Sequence, residues 1–132
     1  MSEQINASNL RIVIVDDSDF ARTSIKKMLI DAGYEVAGEA PSAEAALAVI
    51  KEKKPHILIT DIVMPKISGI ELADKISKDH EDVYIIVISS LTQEHIILEA
   101  IGAGASDFIA KPIQPQQLID SIDKALIQIN SK

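Results

Sequence analysis

The sequence predicts an α/β protein in which a doubly wound, five-stranded parallel sheet is covered by five helices. Five short apolar runs recur along the chain, and each is followed by a segment with helical periodicity. Strict alternation of strands and helices with short connections is typical of a parallel sheet with helices on both faces. We predict the strand order 2-1-3-4-5, which places the second and fifth strands at the edges.

The five predicted strands differ in how completely apolar they are. They span residues 12–15, 34–39, 56–60, 83–89 and 107–110. The first, third and fourth are nearly continuous in Ile, Val and Leu, as strands buried on both faces should be. The second is mixed and the fifth is short, which suits sheet edges. We expect the first strand to be central, with the third and fourth beside it.

The helices are marked by periodic apolar residues and by suitable residues at their ends. We predict them at 20–32, at 43–53, after Ser68-Gly69, after Thr92 and at 115–129. In the first helix Ile25, Met28 and Leu29 share one face, and Gly33 follows the helix end. Ser42 is a suitable N-cap for the second helix.

Composition and charge exclude several classes of protein. At 132 residues the chain has room for one domain, and we assign residues 1–10 to an N-terminal extension and 11–130 to that domain. It has no cysteine, which excludes disulfides and thiolate metal sites and fits a reducing cytoplasm. A net charge of −7 without a basic stripe argues against nucleic acid as a partner. We expect neither a signal peptide nor a membrane-spanning segment, because no apolar run approaches the roughly 20 residues that a span requires.

Polar residues follow four of the five predicted strands. Asp16 and Asp17 follow the first, Asp61 the third and Lys111 the fifth, while Ser89 ends the fourth. The carboxyl ends of parallel strands lie at one edge of the sheet, and open α/β sheets bind ligands at that edge where the strand order reverses. The sequence therefore predicts that these five side chains converge on one crevice.

The predicted crevice is suited to a divalent cation and a phosphoryl group. Three carboxylates and one lysine leave a net charge of about −2 in a partly desolvated site. Oxygen ligands without cysteine favour Mg²⁺. Ser89 and Lys111 are suited to hold phosphoryl oxygens, one by a hydrogen bond and the other by charge. A simpler interpretation of the aspartate pair is that Asp17 or Ser18 caps the helix that follows.

Four segments resemble the receiver domains of response regulators in two-component signalling. The segments are VDDSDF, TDIVMPKISGIEL, VISSLT and GASDFIAKP. The resemblance extends from about residue 10 to residue 129, and it implies the CheY-like form of the flavodoxin-like fold. It also implies a signalling switch, rather than an enzyme with its own substrate, that takes a phosphoryl group from a phosphohistidine on a sensor histidine kinase.

The resemblance implies a role for each residue of the crevice. Asp61 resembles the aspartate that accepts the phosphoryl group. Asp17, Asp61 and the backbone carbonyl of Val63 resemble the Mg²⁺ ligands, with Asp16 acting through water. Lys111 resembles the lysine that pairs with the phosphate, and in the family its bond to the following proline is usually cis.

Two further residues resemble the parts that transmit the signal. Ser89 resembles the hydroxyl that moves toward the phosphate, and we prefer it to Ser90 because it ends the strand directly. Phe108 resembles the aromatic residue that changes rotamer with that hydroxyl.

The expected output surface is formed by the fourth helix, the fifth strand and the last helix, and it would bind a downstream protein. The fourth helix contains consecutive apolar residues, so it cannot bury all of them. We expect Leu98 and Ile101 to form its buried stripe and Ile96 or Ile97 to remain partly exposed. Ile97 and Phe108 are therefore the predicted contact residues.

Two alternatives to a single-domain, chemotaxis-type switch stay open. The first is the receiver of a longer regulator, such as a transcription factor or a chemotaxis methylesterase. The second is a phosphatase of the haloacid dehalogenase type. Here Asp17-x-Asp19 follows a predicted strand, and such enzymes also carry an Asp-x-Asp motif after a strand. They need another acidic pair at a strand end, whereas Asp120 and Asp123 fall within the last predicted helix.

Overall fold

The computed structural model describes residues 4–131 and has the predicted α/β architecture. Five parallel strands form one sheet in the order β2-β1-β3-β4-β5. The strands are β1 Ile12–Val15, β2 Val36–Ala40, β3 Ile57–Asp61, β4 Tyr84–Ser89 and β5 Asp107–Ala110. The helices are α1 Asp19–Asp31, α2 Ala43–Lys53, α3 Gly69–Asp79, α4 Glu94–Gly102 and α5 Pro115–Asn130. The predicted fold class, strand order and alternation of elements are confirmed.

The sheet separates two apolar cores. Successive residues of a strand point to opposite faces, so Val13 and Val15 belong to one core and Ile12 and Ile14 to the other. The first core is closed by α2, α3 and α4, and the second by α1 and α5. Every residue of β1, β3 and β4 is buried, as their apolar composition predicted.

The central strand of the sheet is β3 rather than β1. β1 lies between β2 and β3, and β3 separates it from β4, so the prediction of a central first strand was wrong. The reason is that β1, β3 and β4 are all fully buried. Apolar composition reports burial on both faces and carries no further information about order among such strands.

The turn after α1 explains why β2 begins two residues later than predicted. The amide of Tyr34 donates to the carbonyl of Leu29 at 2.9 Å, and its side chain packs in the second core. Gly33 has a φ of 93°, a conformation that favours glycine at a helix end. β3 in turn extends one residue further than predicted, because Asp61 still pairs with Ile88 of β4.

Serine side chains cap the first three helices. The hydroxyls of Ser18, Ser42 and Ser68 accept from backbone amides at 3.1 Å. Ser68 also forms a capping box with Glu71. Because Ser18 occupies the first cap position, helix capping does not account for Asp17. None of the helices between residues 4 and 131 combines the length and hydropathy that crossing a membrane requires.

Helix α4 buries a different stripe from the predicted one. Leu98 and Ile101 are 59% and 54% exposed, so the prediction that they form the buried stripe was wrong. Ile96, Ala100 and Ala103 pack against the first core instead. These positions are four and three residues apart, which is the spacing of one helix face. Because the neighbouring positions are also apolar, the sequence alone does not show which face is buried. Ile97 is partly exposed, as expected.

The segment before β1 packs against the second core, and Ile5 joins it to the end of α5. The side chain of Asn130 accepts a hydrogen bond from the amide of Ile5 at 2.8 Å and donates one to its carbonyl at 2.9 Å. Ile5 and Ala7 contact the second core, and Leu10 is buried. The predicted extension therefore adds to the folded domain over these residues, while its residues 1–3 lie outside the described residues.

We expect Gly104→Ala to destabilise the protein. Gly104 has a φ of 111°, and an added Cβ would lie 2.4 Å from the Cβ of Ser77 in α3. Side chains avoid positive φ at a cost of roughly 1–2 kcal/mol, so a loss of at least that size is expected in urea unfolding. Gly102→Ala is the matched control, since its Cβ would meet nothing within 4 Å and the residue is helical. Equal stabilities of the two variants would contradict the prediction.

Candidate functional site

Three carboxylates meet at the carboxyl edge of the sheet. Asp16, Asp17 and Asp61 each offer an oxygen, and these atoms all lie within 4.8 Å of one another. β1 and β3 are neighbours whose last paired residues are Val15 and Thr60, so the next residue of each strand reaches the same point. Asp16 is 1% exposed, Asp61 is also buried and Asp17 is exposed. Two carboxylates are thus fixed by strands, and the third faces solvent.

Lys111 brings a cation to this cluster from the end of β5. Its Nζ lies 3.2 Å from Oδ2 of Asp16 and 3.3 Å from Oδ2 of Asp61. Its amide donates to the carbonyl of Ser89 at 2.9 Å, which holds the start of the loop against β4. The bond from Lys111 to Pro112 is cis. The lysine therefore bridges the two buried carboxylates.

The pKa values of the bridged groups reflect their crowding. Burial and the neighbouring Asp16 carboxylate raise the pKa of Asp61, although Lys111 and the Ile62 amide oppose this. Burial acts to lower the pKa of Lys111, but the Asp61 and Asp16 carboxylates outweigh it and raise that pKa overall. The three carboxylates of the cluster therefore carry more negative charge than the ammonium of Lys111 balances.

The start of α3 packs directly against the backbone of Asp61. The amide of Gly69 donates to the carbonyl of Ile62 at 2.8 Å, and the Ile62 amide donates to Oδ1 of Asp61 at 2.9 Å. A Cβ on Gly69 would lie only 1.8 Å from the carbonyl oxygen of Asp61. This close approach to the Asp61 backbone requires glycine, while the carboxylate itself is held by the Ile62 amide.

Ser89 and Phe108 lie on the neighbouring strands β4 and β5, where Phe108 pairs with Val87, two residues before Ser89. Ser89 is fully buried, and its hydroxyl accepts from the amide of Leu91 at 2.9 Å, whereas Ser90 is exposed. Phe108 is half-buried and lines a groove of about 470 Å³ together with Ile97. The predicted switch and output residues are therefore close in the fold.

The donor set fits a small divalent cation. Carboxylate oxygens are hard ligands of the kind that Mg²⁺ prefers, and the exposure of Asp17 leaves room for waters. Val63 lies in the loop two residues after Asp61, with an exposed side chain. Asp120 and Asp123 lie in α5, so the described chain does not bring to the cluster the second acidic pair that a phosphatase of the haloacid dehalogenase type needs.

The sequence reasoning missed Arg22 and Glu39. The guanidinium of Arg22 donates to the backbone carbonyl of Asp16 at 2.6 Å and to Oε1 of Glu39 at 3.1 Å. The position of Arg22 was one signal in the sequence. A cation near the start of a helix is disfavoured by the helix dipole, so a nearby carboxylate partner would be expected. The partner on β2 could not be identified before the strand pairing was known.

A family model and known proteins match this chain. The family model described as "Response regulator receiver domain" matches residues 12–123. The chemotaxis protein CheY of Thermotoga maritima is 44% identical over 114 residues, which cover 86% of this chain and 95% of that protein.

Two solved structures are also similar. A receiver domain protein (CheY-like) from Methanospirillum hungatei has a TM-score of 0.86 and 30% identity, covering 92% of this chain and 97% of that one. The CheX–CheY–BeF3–Mg²⁺ complex from Borrelia burgdorferi has a TM-score of 0.85 and 26% identity, covering 92% and 94%. With its fold, its acidic crevice and a family match over most of its length, the chain belongs to the CheY-like receiver domains of two-component response regulators.

Proposed function

We propose that this receiver domain accepts a phosphoryl group on Asp61 from a phosphohistidine of a sensor histidine kinase. The observation that carries the proposal is the cluster of three carboxylates bridged by Lys111 at the sheet edge. In the transfer, an Asp61 carboxylate oxygen bonds to phosphorus, the phosphorus–nitrogen bond breaks and the histidine nitrogen takes up a proton. Lys111 then pairs with the phosphoryl oxygens in place of the Asp61 carboxylate.

Mg²⁺ is the proposed cofactor of this transfer. Asp17, Asp61 and the backbone carbonyl of Val63 would hold it, with Asp16 acting through water. When bound, the cation neutralises charge on the phosphoryl oxygens and the carboxylates. The similar CheX–CheY complex from Borrelia burgdorferi includes both Mg²⁺ and BeF3, and this supports the proposal of such a site here.

A groove beside Lys111 is a suitable docking site for the kinase. It has a volume of about 450 Å³ and lies between α1 and the segment after β5, and Met28, Pro112 and Ile113 line it. Phe20, which also lines it, is 84% exposed. An apolar surface next to the phosphoacceptor suits a partner that must place its phosphohistidine in the crevice.

The signal would leave through the face of α4, β5 and α5. Engagement of Ser89 by the phosphoryl group would alter its bond to Leu91 and allow Phe108 to change rotamer. Ile97 shares the groove with Phe108 and would report that change to a downstream protein.

Chemotaxis-type signalling through protein contacts is the process we favour, in the cytoplasm where sensor kinases present their phosphohistidine. The CheY of Thermotoga maritima supports it, because the match spans nearly all of that protein. A receiver within a longer regulator would use the same crevice, and the length of the reading frame in its genome distinguishes the two.

Acetyl phosphate with Mg²⁺ should add one phosphoryl group to the protein, on Asp61. We expect Asp61→Asn to abolish labelling because the nucleophilic carboxylate is gone. Asp31→Asn, at an exposed position of α1, is the control and should label like the wild type. Intact-mass spectrometry measures the stoichiometry. Wild-type labelling of Asp61→Asn would place the phosphoacceptor elsewhere.

The Asp61 carboxylate should also reduce stability when no cation is bound. Its folded-state pKa is raised, so the folded protein binds more protons between the unfolded and folded pKa values. Stability from this group is therefore lost as the pH rises through that window, which starts at the unfolded pKa of about 3.9. An Asn side chain at this position cannot ionise, so the variant does not lose stability as the pH rises through this window.

We therefore expect Asp61→Asn to unfold at a higher temperature than the wild type at pH 7 in EDTA. The difference between the two unfolding temperatures should shrink as the pH falls from the folded to the unfolded pKa of Asp61, and it should vanish at lower pH. Calorimetry across this pH range measures the effect, and Glu81→Gln, at an exposed loop position, is the control. A less stable Asp61→Asn at pH 7 would contradict the prediction.

Beryllofluoride with Mg²⁺, a mimic of the phosphoryl group, should shift the NMR signals of Ile97 and Phe108. In Ser89→Ala these shifts should be lost while shifts around Asp61 persist, because the hydroxyl that links the two places is missing. Ser90→Ala is the matched control, since this neighbouring hydroxyl is exposed, and it should respond like the wild type. If the shifts at Ile97 and Phe108 were instead lost in Ser90→Ala and kept in Ser89→Ala, the switch hydroxyl would be that of Ser90.

A further inference from the structure

Arg22 links three separate segments near the acidic cluster. Its Nη1 donates to the backbone carbonyl of Asp16 at 2.6 Å, and its Nε donates to Glu39 of β2 at 3.1 Å. Its Nη2 pairs with Asp19 in the first turn of α1. The side chain is only 12% exposed. A single guanidinium thus ties the β1–α1 connection to β2 and to α1.

With Arg22 in place, each polar group of Asp16 has a partner. Its amide donates to the carbonyl of Ala40 at 3.2 Å, and its Oδ1 accepts from the amide of Ser18 at 3.0 Å. Its Oδ2 pairs with Lys111 at 3.2 Å, and its carbonyl accepts from Arg22. These contacts fix both the side chain and the main chain of Asp16.

The carbonyl that Arg22 holds belongs to the peptide linking Asp16 to Asp17. Because a peptide unit is planar, fixing its oxygen also fixes the direction in which the chain continues to the Cα of Asp17. Asp17 is exposed and has little packing to position it. The orientation of this peptide therefore sets where the third carboxylate of the cluster lies.

The location of Arg22 is unfavourable for a cation unless it is compensated. It lies near the start of α1, where the helix dipole disfavours positive charge. Burial acts to lower its pKa, but its hydrogen bonds to Asp19 and Glu39 raise that pKa overall. Glu39 also pairs with Lys26, one helical turn further along α1. These carboxylates hold the guanidinium against the Asp16 carbonyl.

We propose that Arg22 is a positioning residue that preorganises Asp17 for a divalent cation by holding the Asp16–Asp17 peptide. The inference rests on the proposed function, in which Asp17 is a cation ligand. Arg22 does not touch the cation; it acts through the backbone. Residues that orient ligands in this way typically contribute 10–100-fold to metal affinity.

Charge and geometry predict opposite effects for the loss of Arg22. Removing a cation makes the crevice more negative, so charge alone predicts tighter Mg²⁺ binding in Arg22→Ala. Loss of positioning predicts weaker binding. Arg22→Lys also distinguishes the effect of charge from that of positioning. Lysine keeps the positive charge but lacks the planar guanidinium that contacts Asp16, Asp19 and Glu39 together.

Mg²⁺ titrations of the full chain, followed by calorimetry or NMR, test the proposal. We expect about tenfold weaker binding in both Arg22→Ala and Arg22→Lys. Lys26→Ala is the charge-matched control, because it removes a cation from the same Glu39 without a hydrogen bond to Asp16, and it should bind at least as tightly as the wild type. Unchanged or tighter binding in Arg22→Ala, or wild-type binding in Arg22→Lys, would overturn the proposal.

Phosphorylation by acetyl phosphate separates positioning from a general loss of structure. Positioning predicts that the Mg²⁺ concentration giving half the maximal rate rises in Arg22→Lys, while the rate at saturating Mg²⁺ returns to that of the wild type. A reduced maximal rate with an unchanged half-saturating concentration would show a structural role and reject the proposal. Absence of Mg²⁺ binding by the wild type, or unchanged binding in Asp17→Ala, would instead reject the proposed function.

Discussion

Repulsion among three carboxylates at the edge of a buried sheet is the constraint on which the rest of this structure depends. Asp16 and Asp61 are both buried, and the carboxylates of both pair with the ammonium of Lys111. In a medium less polarisable than water such repulsion is costly, and it cannot be relieved by movement because both residues are fixed by strands. The excess negative charge suits the crevice to the divalent cation proposed above.

The fold holds this arrangement by fixing the backbone on either side of it. β1 and β3 are adjacent and in register, so their ends present Asp16 and Asp61 side by side. Gly69 brings the start of α3 against the carbonyl of Asp61, and Arg22 holds the carbonyl of Asp16. The parallel sheet thus brings the two carboxylates close together, while the close approach of Gly69 and the partly buried guanidinium of Arg22 hold the backbone beside them.

Much of the fold and of the crevice could be predicted because the relevant signals are local. The burial of β1, β3 and β4 follows from continuous apolar runs, and the caps at Ser18 and Ser42 follow from residue type. The convergence of the polar strand ends needs only the rule that parallel strands finish at one edge. Each of these inferences depends on a few neighbouring residues.

The predictions that failed depend on contacts between distant segments. In α4, apolar residues fill more than one face, so only packing shows that Ala100 is buried and Leu98 is not. The order of fully buried strands depends on pairing that composition does not contain. Arg22 was missed for the same reason, since its partner Glu39 comes close only when β2 pairs with β1.

The contacts of β5 support the proposed passage of a signal from the crevice to the face of α4, β5 and α5. The carbonyl of Ser89 accepts from the amide of Lys111, so the end of β4 and the loop after β5 are coupled through main-chain atoms. At the other end of β5, Asp107 accepts from the hydroxyl of Ser121 at 2.6 Å and so ties α5 to the strand. Phe108 lies between these two attachments. Both ends of β5 are held by these hydrogen bonds, whereas the Phe108 side chain is only half-buried. In the proposed switch, a small shift at Ser89 would therefore change the rotamer of Phe108 at the surface and leave the sheet in place.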